Sequence, residues 1–312
     1  MNALQTASGD VATVGQAVKW LTGSFLKAGL PSAQLDARLL TAYVLNISVE
    51  RLILDATHPI STSDISSLGS VLERRVNREP VSRICGSREF WGLPFRLNKA
   101  TLDPRPDSET VVSALLTLCE REGRRSEALK LLDLGTGTGC LLLSALSELQ
   151  GASGVGVDIS REALVMAREN AIVIGLKDLT EFVNSDWLDG VTGVYDFVLT
   201  NPPYIKADEI AGLAPEVSVH DPRAALDGGI SGMDCYAAII PALSGRVAVC
   251  GWALLEAGDG QASAIAELLN EHGFGEIEVF PDFSGKSRVV AGKRHKLKRI
   301  SCLLYTSDAA DE

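Results

Sequence analysis

Four consecutive residues, Asn201-Pro202-Pro203-Tyr204, carry the most specific chemistry in the chain. They follow an apolar run, Tyr195 to Thr200, that reads as a buried strand. Two prolines forfeit two backbone donors and fix two φ angles. What is left is a rigid rim of carbonyl acceptors, an Asn amide that can donate and accept, and an aromatic face. Such a rim suits a planar –NH2 group: acceptors meet its two hydrogens, Tyr204 covers its plane, and the nitrogen lone pair points at an electrophile. Without that electrophile, the same residues would read as a strand-ending turn with a core tyrosine.

A second motif supplies a place for the electrophile. Leu131-Leu132-Asp133-Leu134 is an apolar strand entering the loop Gly135-Thr136-Gly137-Thr138-Gly139, followed by a helical pattern from Leu141 to Leu149. Glycines let backbone approach a ligand closely, and the helix N-terminus offers free N–H groups. A dinucleotide fingerprint needs glycine at the sixth position, where this chain has Cys140, so that motif fails by one residue. Further on, Gly154 to Asp158 reads as a strand ending in a carboxylate able to accept both hydroxyls of a ribose. A third strand-like segment, Thr180 to Ser185, ends in Asp186-Trp187. That pair offers an acceptor for an adenine amino group and a ring to lie on the base; alone, it reads equally as a core Trp beside a solvated Asp.

Taken together, Asp133 to Gly139, Asp158, Asp186 and Asn201 to Tyr204 resemble the successive motifs of an S-adenosylmethionine-dependent methyltransferase acting on a planar amine. Arg78-Glu79-Pro80, Phe90-Trp91-Gly92-Leu93-Pro94-Phe95 and Pro104-Arg105-Pro106 narrow the resemblance to the peptide-chain release factor glutamine methyltransferases, the HemK family. His220 to Gly229 and Ser287-Arg288-Val289-Val290 resemble the same family, and the likeness runs from about residue 10 to about residue 294. Two places depart from the pattern: Asp107-Ser108-Glu109 stands where Glu-Thr-Glu is expected, and Asp103 where an apolar residue is usual.

The resemblance implies a Rossmann-like seven-stranded methyltransferase sheet with an antiparallel last strand, plus a small N-terminal helical domain. It implies S-adenosyl-L-methionine as cofactor, held by Gly135, Thr136, Gly137, Thr138, Gly139, Asp158, Asp186, Trp187 and Asn201. Asn201, Pro202 and Tyr204 would be catalytic, and Asn201, Pro202, Pro203 and Tyr204 would bind the substrate amide, with Arg105 and Glu109 facing the donor. The expected substrate is the glutamine of the Gly-Gly-Gln motif in class I peptide chain release factors. Two other substrates fit the four-residue site: a glutamine on a ribosomal protein, or an adenine amino group on nucleic acid held as a flipped base.

The pattern of elements agrees with an α/β fold. Residues 12–79 read as helices, with apolar positions recurring at three and four: Val14, Ala17, Val18, Leu21, Phe25, Leu26, then Leu35, Leu39, Leu40, Tyr43, Val44. Residues 87–97 read as a hairpin around Gly92, and a helix begins at Asp107. Strands near 130–133, 154–158, 179–183, 195–200, 247–256, 276–280 and 287–292 alternate with helices near 140–149, 160–174, 231–244 and 260–272, the pattern of a parallel sheet covered on both faces. Only Pro281 to Lys286 separate the last two strands, too short for a parallel crossover, so an antiparallel hairpin ends the sheet. The expected domains are 1–80 for substrate recognition, 81–106 as a hairpin linker, 107–294 as the methyltransferase domain, and 295–312 as a tail.

Within that tail, Cys302 to Glu312 reads as a translated transposase adaptor, a scar to be set aside. Without its Asp308, Asp311 and Glu312 the net charge is −8 rather than −11. An acidic chain with no target-recognition domain argues against a nucleic-acid partner. Cysteines 85, 119, 140, 235 and 250 show no paired spacing, and four scattered histidines offer no metal site. No secretory pattern or membrane-length apolar run occurs, so a cytoplasmic protein is expected; a monomer is expected as well. Between residues 73 and 105 lie eight Lys/Arg and four Asp/Glu, a basic stretch that could dock an acidic release factor or form a solvated interdomain surface.

Overall fold

The computed structural model describes residues 11–295. The segment read as an adaptor scar, 302–312, lies outside the described residues. Five helices come first: α1 (Val14–Lys27), α2 (Ala33–Leu45), α3 (Arg51–Leu54), α4 (Thr62–Val76) and α5 (Val81–Cys85). Two of them start on reciprocal capping boxes, Thr13 with Gln16 and Ser61 with Asp64, each of which satisfies two otherwise orphaned N–H groups. Leu21, Phe25, Leu40, Leu68 and Leu72 close their core.

One part of the helical reading needs correction. Leu35 and Tyr43 of α2 and Leu26 of α1 are exposed. The inward face of α2 is instead Ala33, Asp36, Ala37, Leu40 and Thr41. Small residues let α1 approach closely, and Asp36 turns inward because Arg75 of α4 meets it at 2.8 Å, both side chains nearly fully buried. A single-sequence apolar count has no way to rank Ala and Asp above Leu and Tyr.

A hairpin follows, β1 (Ser87–Phe90) with β2 (Leu93–Arg96), then α6 (Glu109–Arg121). The remaining elements alternate: β3 (Lys130–Leu134), α7 (Cys140–Glu148), β4 (Ser153–Asp158), α8 (Arg161–Ile174), β5 (Thr180–Asn184), β6 (Tyr195–Thr200), the short α9 (Pro215–Ser218), α10 (Asp234–Leu243), β7 (Val247–Glu256), α11 (Ala262–Glu271), β8 (Phe274–Pro281) and β9 (Ser287–Arg294). Seven strands form one sheet in the order β5-β4-β3-β6-β7-β9-β8. All pairs are parallel except those made by β9, which inserts antiparallel between β7 and β8. The expected α/β sheet, with its antiparallel closing strand and N-terminal helices, is the fold.

Alternation along the strands builds two cores. Leu131, Phe197, Leu199, Trp252 and Leu254 pack with α6, α7 and α8 on one face. Leu132, Leu134, Val198, Ala253 and Leu255 pack with α10 and α11 on the other. A strand buried on both faces has little freedom to slip, because a shift of one residue exchanges its faces. Leu134, Thr200 and Leu255 are therefore fixed as cross-strand partners, and Val157 lies beside Leu134. The next residue on each strand, Asp158, Gly135, Asn201 and Glu256, falls in one row along the carboxyl edge.

The N-terminal helices are joined to that edge by ion pairs. Arg75 and Arg78 both reach Glu216 of α9, at 3.1 and 3.4 Å. Arg83 and Arg105 converge on Asp221, whose side chain is almost wholly buried. Arg88 pairs with Asp103, and Arg74 with Glu79. Six of the eight cations in the basic stretch thus pair with the chain's own carboxylates, a correction to its reading as a free docking surface. Removing one member of a buried pair strands the other, so Arg75→Ala is expected to cost about 3 kcal/mol in urea denaturation; a loss below about 0.5 kcal/mol would show the pair to be dispensable.

Candidate active site

The loop after β3 turns through Gly135, Gly137 and Gly139, all at positive φ. Gly139 caps α7 at φ 82°, where a Cβ would press on Leu143 at 3.1 Å and Ala167 at 3.4 Å. The loop is held from beneath by Asp133, which accepts from the Thr136 hydroxyl at 2.6 Å, and from the side by Asp158, which accepts from Gly137 N at 2.9 Å. Asn170 of α8, fully buried, donates to Thr138 O and Arg96 O and accepts from Arg96 N, which fastens the hairpin to the same loop. Burial pushes Asp133 up to about 7, with the Thr136 bond opposing and the Asp158 charge adding.

Above this loop opens a cavity of about 320 Å³. Gly135, Thr136, Gly137, Thr138, Asp158, Asp186, Trp187 and Asn201 line it, as the sequence pattern leads one to expect. Gly139 does not: it is buried, and its part is to turn the chain into α7. Trp187 holds φ at +43°, an uncommon conformation for a residue with a Cβ, and its ring lies against Gly135. Ser185 Oγ accepts from Gly190 N and so closes the turn that presents Asp186-Trp187.

A second cavity, about 290 Å³, adjoins the first and shares Leu102, Arg105, Asn201 and Ala225 with it. Tyr204 and Glu256 line only this second one. Asn201 therefore stands in the wall between the two spaces. Pro203 faces the first cavity, whereas Pro202 is buried and is among the lining residues of neither. Its fixed φ stiffens the turn that presents Asn201. The turn is braced from behind: Gly228 lies so close that a Cβ would stand 2.7 Å from Tyr204 Cα. Ile205 N donates to Leu226 O and Gly228 N to Ile205 O.

The two residues placed here by resemblance separate. Arg105 lines both cavities and pairs with Asp221. Glu109 lines neither; it accepts from Trp91 N at 2.8 Å and ties the hairpin to α6. Two residues were missed. Ser108 Oγ lies 2.9 Å from Asn201 Nδ2, and Glu256 accepts from the Tyr204 hydroxyl at 3.3 Å. A signal for Glu256 existed: like Asp158, it is an acidic residue closing an apolar strand. Burial pushes Glu256 up to about 7, while the Tyr204 hydroxyl is raised well above its ordinary range by burial and by the Glu256 charge.

The family model described as the PrmC N-terminal domain matches residues 16–86, and that of the Methyltransferase small domain matches 110–229. A release factor glutamine methyltransferase from Bradyrhizobium diazoefficiens is 44% identical over 257 residues, spanning 82% of this chain and 86% of that protein. The chain belongs to the release factor glutamine methyltransferase family. Another member, from Agrobacterium fabrum, is 40% identical over 268 residues, spanning 86% and 92%. The hMettl16 catalytic domain, solved with a MAT2A 3′UTR hairpin, shares the fold at a TM-score of 0.53 and 18% identity, over 67% of this chain and 77% of that one.

S-adenosylmethionine is the methyl donor of this family, and the first cavity fits it. Each oxygen of Asp158 holds one backbone N–H, from Gly137 and from Ser160, leaving a lone pair on each for ribose hydroxyls. Asp186 and Trp187 offer the acceptor and ring that an adenine needs. The described residues contain no cluster of side chains that could hold a metal ion, and no helix among them is long and apolar enough to cross a membrane. Asp158→Ala should weaken donor binding by about 2–4 kcal/mol, two bonds to a charged acceptor. Calorimetry giving wild-type affinity for that variant would remove Asp158 from the site.

Proposed function

We propose that the chain transfers the methyl group of S-adenosylmethionine to the side-chain amide nitrogen of the glutamine in the Gly-Gly-Gln motif of class I peptide chain release factors. The observation that carries this reading is the place of Asn201, in the wall between a cavity suited to the donor and one suited to an amide. Relatives 40–44% identical over most of the chain are release factor glutamine methyltransferases, which supports the same substrate.

A glutamine amide is a poor nucleophile because its nitrogen lone pair is delocalised into the carbonyl. The Asn201 side-chain oxygen and the Pro202 carbonyl accept the two amide hydrogens and hold the nitrogen toward the first cavity. The Tyr204 ring, beside Asn201 in the second cavity, covers the amide plane. The donor supplies an electrophilic methyl carbon on a sulfonium. The C–N bond forms as the C–S bond breaks with its electron pair to sulfur, and the N-methyl amide nitrogen then releases one proton. Positioning and exclusion of water carry most of the rate, which is what a rigid turn between two cavities provides.

Selectivity must come from outside these cavities, since donor and amide occupy both. We assign it to the N-terminal helical unit, residues 1–80, joined through a linker over 81–106 to the methyltransferase unit over 107–294, in a cytoplasmic monomer. The ion pairs from Arg75 and Arg78 to Glu216 place that unit beside the loop that follows Tyr204. The same pairs weigh against an adenine in nucleic acid as substrate, because the chain's most basic stretch is largely neutralised within the protein.

Incubation of a purified release factor with this chain and isotopically labelled donor should place one methyl group on the Gly-Gly-Gln glutamine by mass spectrometry. Asn201→Ala should reduce turnover at least about a hundredfold, while donor affinity changes by no more than about tenfold. Wild-type turnover in that variant, or preferred methylation of adenine in DNA, would overturn the assignment.

A further inference from the structure

We propose that Gln261, which lies outside every motif read from the sequence, is a positioning residue that holds the Tyr204 ring against the target amide. The inference rests on the reading that this ring covers the amide plane, and extends it to the residue that sets the ring's place. An aromatic face serves there at one height and tilt only. A displaced ring either crowds the amide or leaves it free to turn away from the methyl donor.

Gln261 is the N-cap residue of α11, in the loop that follows β7. Both ends of its side-chain amide are used. Nε2 donates to Tyr204 O at 3.0 Å and to Gly232 O at 3.1 Å, and Oε1 accepts from Gly258 N at 3.0 Å. Gln261 N donates back to Gly258 O at 3.1 Å. Two carbonyls face the NH2 end and an N–H faces the oxygen, so a single orientation of the amide satisfies the site. One side chain thereby joins three segments: the Asn-Pro-Pro-Tyr turn, the turn before α10 and the loop after β7.

Those segments approach Tyr204 as closely as backbone can. Besides Gly228 behind Cα, a Cβ on Gly232 would stand 2.5 Å from Tyr204 O, and one on Gly258 would stand 2.9 Å from Cδ2 at the ring edge. The Tyr204 hydroxyl meets Glu256 at 3.3 Å. Pro202 and Pro203 stiffen the chain before the tyrosine, but they do not place its ring. Its carbonyl is held by Gln261 and its ring edge is stopped by Gly258, which Gln261 holds in turn. Neither Tyr204, Gln261, Gly232 nor Gly258 lines the donor-side cavity, so the effect of this clamp falls on the amide.

The test is single-turnover methyl transfer to a release factor at saturating donor and release factor, set beside S-adenosylhomocysteine affinity read by calorimetry. Gln261→Ala removes both bonds to the carbonyls, and Gln261→Glu keeps the shape but sets an acceptor against them. Each should slow transfer at least about tenfold, while S-adenosylhomocysteine affinity stays within about twofold. Gly258→Ala should also slow transfer, because its added methyl group meets the ring edge. In a Tyr204→Ala background, where there is no ring to place, Gln261→Ala should cost no more than about twofold further. A purely structural role would keep its full cost there. If Gln261→Ala does not fold, Gly258→Ala decides, alone and combined with Tyr204→Ala. Wild-type transfer in Gln261→Ala or Gly258→Ala, an undiminished loss in the Tyr204→Ala background, or a loss of donor affinity equal to the loss of rate would sink the proposal. A wild type unable to methylate the release factor at all would instead sink the proposed function.

Discussion

Register at the carboxyl edge of the sheet is the constraint on which the rest depends. β3, β4, β6 and β7 are parallel neighbours, covered by helices on both faces, and their pairing cannot slip without turning every apolar side chain around. That fixes Asp158, Gly135, Asn201 and Glu256 in a single row. The Thr200 hydroxyl adds a direct tie, donating to Leu134 O at 2.8 Å. Two cavities open above the row, and Asn201 belongs to both. The two prolines after it matter because they remove the freedom of the chain where any looseness would blur that position.

A second layer holds the walls. The loop between Tyr204 and α10 is anchored by buried or half-buried carboxylates, Glu216 and Asp221, that accept guanidinium groups from the N-terminal helices and the linker. Charge that looks from composition like a docking surface is therefore mostly paired within the chain. Buried pairs of this kind are poor sources of net stability, but they are demanding in geometry, because a misplaced partner leaves a bare charge. The consequence is that the N-terminal helices are tied to the loop that walls the second cavity.

Much of this was legible in the residues. Strand and helix positions followed from the alternation of apolar runs, and the antiparallel end of the sheet followed from the shortness of Pro281 to Lys286. The donor-side loop and Asn201 were legible because glycine and proline restrict or release backbone in ways few other residues do. What was not legible depended on side-chain direction. Leu35 and Tyr43 look like core residues and face solvent, while Asp36 faces inward toward an Arg 39 positions away. Pro202 sits inside the motif yet is among the lining residues of neither cavity. Ser108 has no motif of its own, and Glu256 is marked only as an acidic strand end; they meet Asn201 and Tyr204 across 93 and 52 residues of chain.

The most direct test of this account is a crystal structure of the chain with S-adenosylhomocysteine and a Gly-Gly-Gln release factor bound together. The account places the glutamine amide nitrogen in the second cavity, within about 3 Å of Asn201 Oδ1, with the nucleoside along Asp158 and Trp187 in the first. A glutamine amide held away from Asn201, or a nucleoside bound outside the row formed by Gly135 and Asp158, would contradict it.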